Sequence, residues 1–269
     1  MLGHRTTALL ASRLISTQTA REVRLALAPE SLLSASTWAD WYAHTPEGSF
    51  SKPWHWIDAL DSPPSACSLS LSRDCPAKEG CIVSAITNHT ARALDPVLDQ
   101  KDRRESLKWV VHFIGDVHQP LHTENMLRGG NGIEVLWDGR TESLHRVWDS
   151  LISEKIVGGK GVRDAVRWVD QLAADLEKGR WDTKGWGCET WGEEECVVDW
   201  AVESNKLMCG VVLGMDYVDG GMRDVELSGE YYEGVKDIVE QRVAMAGWRM
   251  AKWLETMFEG AAPDVEEEL

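Results

Sequence analysis

Residues 102–118, DRRESLKWVVHFIGDVH, set Leu107, Val110, Val111 and Ile114 at the three-and-four spacing of a helix, and Pro120 cannot continue it. A DxxE pair, Asp102 to Glu105, predicts a capping box at its start. Similar periodicity puts Ala8, Leu9, Ala11, Ser12 and Ile15 on one face of 5–15 and predicts helices over 161–178, 198–213 and 230–257, with Gly260 and Pro263 ending the last. Residues 61–81 and 181–197 are expected loops, and 123–143, with GGNG and IEVLWDG, a short hairpin. No internal repeat is visible. The expectation is an all-α, mainly helical single domain over 1–258, with a short β-hairpin and long disulfide-tied loops, then an acidic tail at 259–269.

The central helix also carries chemistry. His112 and Asp116 are four apart and share a face, whereas His118 falls roughly 120° away. Beyond the Pro turn, His122 arrives from another direction. LHRVWD repeats the pattern with His145 and Asp149, again four apart. Imidazole and carboxylate without thiolate is a donor set that suits a hydrolytic zinc site. Gly115, beside the His112/Asp116 face, permits close approach of another group. One HxxxD pair alone is commonly an ordinary hydrogen-bonded pair; two, with a third histidine, favour metal.

The formal charge of −16 excludes the broad basic face by which most proteins hold nucleic acid. A phosphate-handling chain of this charge would draw its positive potential from bound metal. No window reaches the roughly 18 apolar residues of a membrane span. Six cysteines with no CxxC pair argue for disulfides and an oxidising compartment, Cys75–Cys81 around a Pro/Gly loop and Cys188–Cys196 around another. The sequon Asn88-His89-Thr90 points the same way. MLGHRTTALLASRLIS does not read as a signal peptide, because His and Arg interrupt its apolar region.

HFIGDVHQPLH, GGNGIEVLWDG and LHRVWD together resemble the zinc-dependent single-strand nuclease and 3′-nucleotidase family of the nuclease S-one/P-one type, in the phospholipase C/nuclease P-one-like fold. GH at 3–4, WAD at 38–40, FSKPWHWID at 50–58, DSPPSAC, RDCPAKEGC and LSGEYY extend the likeness from about residue 2 to 258, most closely to the secreted fungal members. The resemblance implies three zinc ions in a cleft. One would be held by Asp40, His55, His112 and Asp116, a second by His122, His145 and Asp149, and a third by His4 and Asp116. Asp116 would bridge two ions, Asp40 would also orient the attacking water, and His44, His89 and His118 would be solvated or structural. Hydroxide would attack phosphorus in line to give 5′-phosphorylated products, from single-stranded DNA, RNA and 3′-mononucleotides. Trp56 would stack on a base, Asn131 would meet a base edge, and Ser150 would tune base preference. The expected disulfide set is completed by Cys67–Cys209, with glycosylation at Asn88, and the protein is expected to be secreted, monomeric and free of membrane.

Two departures stand out. The family pattern begins Trp-Gly-x-x-Gly-His, the tryptophan amine and carbonyl completing the third site, whereas MLGH puts Met1 at its third position. The expectation is that the upstream reading frame encodes a secretory signal followed by Trp-Gly. Relatives often carry a basic residue where Ala43 stands here. The alternatives are a zinc phospholipase C-like phosphoesterase and a zinc-binding homologue with impaired catalysis.

Overall fold

The computed structural model describes residues 1–214 and 225–259. The Gly260 and Pro263 stop, and the tail beyond Glu259, lie outside the described residues. The chain runs α1 (Leu2–Leu14), α2 (Thr17–Leu27), α3 (Leu32–Ala43), α4 (Leu71–Asp74), α5 (Ile82–Leu94), α6 (Gln100–Asp116), β1 (Glu134–Trp137), β2 (Arg140–Ser143), α7 (Leu144–Arg146), α8 (Ile152–Val157), α9 (Val162–Glu177), α10 (Glu194–Leu207) and α11 (Glu230–Phe258). Strands β1 and β2 form one antiparallel hairpin, Glu134 opposite Ser143 and Trp137 opposite Arg140. The all-α class therefore holds. No helix among the described residues is long and apolar enough to cross a membrane.

Helix α11, 29 residues and about 44 Å long, is the spine of three apolar clusters. Tyr232, Val235 and Val239 pack with the hairpin, Leu144 and Val147. Ala244 and Met245 meet α1 and α9. Met250, Trp253 and Leu254 join α3, α5, α6 and α10. At the α1–α11 crossing, a Cβ on Gly247 would stand 2.8 Å from the Leu10 side chain, so glycine lets the backbones approach. The 14 tryptophans find work here. Trp109 on α6 packs edge-on against Trp38, ring centroids 4.8 Å apart, and against Trp54 at 5.7 Å. Edge-to-face packing of large rings walls in the end of α6.

Several local readings need correcting. Helix α6 starts earlier than its expected capping box: Asp99 is the cap, its carboxylate accepting from Asp102 N at 2.8 Å. Both Asp99 and Asp102 are helix-starting residues, and the first turn went to the earlier one. The α1 face is broader than expected, because the helix is packed on several sides: Leu10 is buried and Ser12 exposed. The expected loop 181–197 contains a 3-10 turn at Thr183–Trp186, and α10 begins inside it, so Cys196 is helical. The predicted helix 198–213 changes to a π-turn at Met208–Val212. Helices α2, α3, α5 and α8 had no prediction, and the expected loop 61–81 holds the short helix α4. All three expected disulfides are present. Cys67–Cys209 pins the 61–81 loop to that π-turn, and Cys75–Cys81 closes the loop just before α5.

Candidate metal centre and cleft

Seven segments deliver the predicted ligands to one place. His4 comes from the first turn of α1, Asp40 from α3, and His55 ends a 3-10 turn, Ser49–His55. His112 and Asp116 close α6, and His122 lies on the 3-10 turn Pro120–Thr123 after the proline break. His145 sits in α7, and Asp149 on the π-turn Val147–Leu151 that follows it. The second HxxxD module is thus an α-to-π junction, a wound feature common at functional sites.

Three groups result, His4/His112/Asp116, Asp40/His55/His112 and His122/His145/Asp149, each with donor atoms within 4.8 Å of one another. Asp116 Oδ2 lies 3.0 Å from His55 Nδ1 and 3.1 Å from His112 Nε2, while its Oδ1 faces His4 Nε2 at 3.1 Å. Asp40 Oδ1 is 3.4 Å from His112 Nε2 and 3.7 Å from His55 Nδ1. Asp149 Oδ1 meets His122 Nε2 at 3.3 Å and Oδ2 meets His145 Nε2 at 3.1 Å. Such separations match the roughly 3.4 Å edges of a tetrahedron with zinc–ligand bonds of about 2.0–2.2 Å.

The rings are aimed by backbone carbonyls. His112 Nδ1 donates to Ser36 O at 2.8 Å, His122 Nδ1 to His55 O at 2.8 Å, and His145 Nδ1 to Gly129 O at 2.6 Å. Each bond engages Nδ1 and turns Nε2 toward the carboxylates, the way metal-binding histidines are held by a hydrogen bond on their far nitrogen. His112 Nε2 is buried with no hydrogen-bond partner, as is His4 Nδ1. Electrostatics agree. Burial pulls the His122 ring down, yet Asp116 and Asp149 carry it up to about 10. Burial likewise works against the charged form of Asp116, but His112, His122 and His4 hold it well below the usual carboxylate range. The buried Asp116 carboxylate thus demands positive charge beside it, and the donor set fits zinc.

His118 is the exception within the α6 motif. It is buried, donating through Nδ1 to Ile114 O at 2.7 Å and accepting at Nε2 from Arg249 at 3.1 Å. Burial and the adjacent Arg242 and Arg249 keep its pKa well below the ordinary value. Of the two alternatives, it is structural. His89 is buried too, beside Ser106, whereas His44 donates to Asp40 O at 2.7 Å on the surface.

The centre lies against a cleft of about 680 Å³ lined by Asp40, Ala43, Trp56, Asn131, His145 and Asp149 among others. Trp56 is 37% exposed there, its Nε1 donating to Asp58 Oδ2 at 3.2 Å. Asn131 is exposed and gives its side-chain amide to Arg128 O. Its loop needs left-handed backbone at Gly129, where a Cβ would fall 2.6 Å from Leu121 O. Ser150 is half-buried beside Asp149 but does not line the cleft. Two residues escaped the sequence reading. Asp58 lines the cleft next to Trp56, and Gln119 Nε2 donates to Asp149 Oδ1 at 2.7 Å while its Oε1 accepts from Leu121 N. A carboxylate two places after Trp56 and an amide beside the Pro turn were the only signals. The sequon Asn88 is exposed on α5, while Thr90 is buried and accepts from Trp253 Nε1.

A family profile described as S1/P1 Nuclease matches residues 1–259. "Nuclease S1" of Aspergillus oryzae is 38% identical over 266 residues, covering 94% of this chain and 90% of that protein. "Nuclease P1" of Penicillium citrinum is 36% identical over 260 residues, covering 94% and 95%. "Endonuclease 3" of Arabidopsis thaliana is 31% identical over 248 residues, covering 86% and 80%.

Proposed function

This chain belongs to the S1/P1 nuclease family, and from that premise we propose a secreted endonuclease that uses three zinc ions to hydrolyse single-stranded DNA and RNA to 5′-phosphorylated products, with 3′-nucleotidase activity. As a family member it is a hydrolase acting on phosphoric ester bonds. The finer reading rests on one observation above all: the two oxygens of Asp116 face different histidines, His4 on one side and His55 with His112 on the other. A carboxylate can serve two cations in this way where an imidazole nitrogen serves one.

Residues Asp40, His55, His112 and Asp116 would hold one ion, His122, His145 and Asp149 a second, and His4 with Asp116 a third. Bound zinc supplies Lewis-acid polarisation of the phosphoryl group and lowers the pKa of water to roughly 7. The chain does the rest. Asp40, 39% exposed at the cleft wall, orients the attacking water toward phosphorus. Trp56 offers a face for a base, and sequence-tolerant stacking of this kind contributes roughly 1–3 kcal/mol. Asn131 presents its amide oxygen to a base edge, and Ser150 adjusts base preference through Asp149. Three ions outweigh Asp40, Asp116 and Asp149, so a chain of net charge −16 meets phosphate through its metals.

The catalytic domain in this reading is 1–258, with 259–269 as an acidic extension. Three disulfides suit an oxidising compartment, and the exposed Asn88 suits glycosylation. The deciding experiment measures zinc content and offers the loaded protein single-stranded DNA, duplex DNA, 3′-adenosine monophosphate and phosphatidylcholine. Turnover of the single strand and the mononucleotide is expected. Preference for the phospholipid would move the chain to a phospholipase C-like function, and full zinc content without turnover would make it an inactive zinc protein.

A further inference from the structure

Lys52 and Arg128 line the same cleft as the metal ligands. They are exposed, and neither forms an ion pair among the described residues. That is unexpected in a chain with 44 acidic and 28 basic residues, in a cleft that also holds carboxylates. Each of those carboxylates is engaged elsewhere. Asp40 and Asp149 face histidines, Asp58 accepts from Trp56, and Glu124 accepts from Met126 N and lies 3.4 Å from Asn205 Nδ2. The two cations are therefore left for an outside anion.

Their backbone settings place each beside one of the metal groups. Lys52 precedes His55 by three residues inside a 3-10 turn, where positions i and i+3 eclipse. It thus shares a face with a ligand of the Asp40/His55/His112 group. Arg128 has φ 61°, a left-handed value next to Leu127 at φ 46°. Such backbone is strained for a residue with a side chain and persists where the surroundings enforce it. Here Arg128 O accepts from Asn131 Nδ2, and the next carbonyl, Gly129 O, holds His145 of the other group. Each cation is tied to a different metal group.

We propose that Lys52 and Arg128 bind the phosphates flanking the scissile one, so that the cleft favours a strand over a mononucleotide. The inference rests on the nuclease reading above. A 3′-mononucleotide has no flanking phosphate, and its single phosphate goes to the metal centre. On a strand the two side chains add ion contacts that dilute salt strengthens and concentrated salt weakens.

The test uses the zinc-loaded full chain, oligothymidylate and 3′-adenosine monophosphate, with Lys52→Gln, Arg128→Gln, the double variant and the charge-keeping Lys52→Arg and Arg128→Lys. KM on the strand is followed against salt. Each neutral variant is expected to raise KM several-fold at low salt and to lower the slope of log KM on log salt by about 0.7, the double variant by about 1.4. The effect falls on KM rather than kcat, the strand-to-mononucleotide preference drops, and the charge-keeping variants restore the slope. An unchanged slope in the double variant, or equal losses on both substrates, would overturn the inference while leaving the nuclease reading standing. A parent enzyme that leaves the strand uncut would bring down both.

Discussion

Gly115 and His4 occupy one space between them. A Cβ built on Gly115 would stand 2.5 Å from His4 Nδ1, and its absence lets the His4 ring stack on His112, centroids 4.1 Å apart and planes 13° apart. Gly115→Ala should leave α6 intact, since alanine is the better helix former by roughly 1 kcal/mol. It should push His4 away from Asp116. Metal analysis is expected to find about one zinc fewer per chain with unchanged far-ultraviolet circular dichroism. Full zinc content would refute the spatial argument.

Gln119 orients Asp149 without touching metal in this account, because its amide donates to Asp149 Oδ1 and its oxygen is fixed by Leu121 N. Outer partners of this kind typically contribute about 10–100-fold in metal affinity. Gln119→Ala should weaken one zinc site by that factor in a chelator competition and leave the other sites alone. Gln119→Glu, which keeps an acceptor but loses the donor, should behave alike.

His89 gives a pH dependence separate from the metal centre. Burial, then Arg92, lowers its pKa to about 4 in the folded chain, against roughly 6.5 unfolded. The unfolded chain therefore takes up the proton first, so the stability is fully present above pH 6.5 and is lost as pH falls toward 4. The loss reaches at most about 3 kcal/mol. Urea melts across this range should show a shallower decline for His89→Gln than for the parent. Parallel declines would assign the acid sensitivity to other groups.

Much of the centre was legible because ligand spacing is local. His112 with Asp116, and His145 with Asp149, announced themselves as i,i+4 pairs, and the Pro120 break separated His122 from them. His118 could be set aside by angle alone, but only the fold shows it buried between Arg242 and Arg249, both paired to Glu203. Asp40, His4 and His55 were reachable only by resemblance, since nothing local distinguishes a lone carboxylate or histidine. Gln119 and Asp58 act through partners far along the chain or across the cleft, which no periodicity encodes. Helices α2, α3, α5 and α8 went unpredicted. In α3, for example, Ala35, Ser36 and Ala39 make a buried face too small and polar to register as an apolar stripe.

Cys67–Cys209 closes a span of 142 residues, so it restricts the unfolded chain far more than the short rings at Cys75–Cys81 and Cys188–Cys196. Cys67→Ser with Cys209→Ser should lower unfolding free energy by about 2–5 kcal/mol in denaturant melts. Opening the six-residue Cys75–Cys81 spacing should lower it by less. The reverse order would locate the stabilisation in the folded loops rather than in the unfolded ensemble.

Asp116 joins the centre, buried and facing His4 through one oxygen and His55 and His112 through the other. The most direct measurement is zinc content together with cleavage of single-stranded DNA for Asp116→Asn, with parent protein alongside. The expected result is loss of about two of three zinc ions and a fall in cleavage of about 10³-fold or more, with helical content kept. An Asp116→Asn protein that holds its zinc and cuts the strand at the parent rate would contradict it.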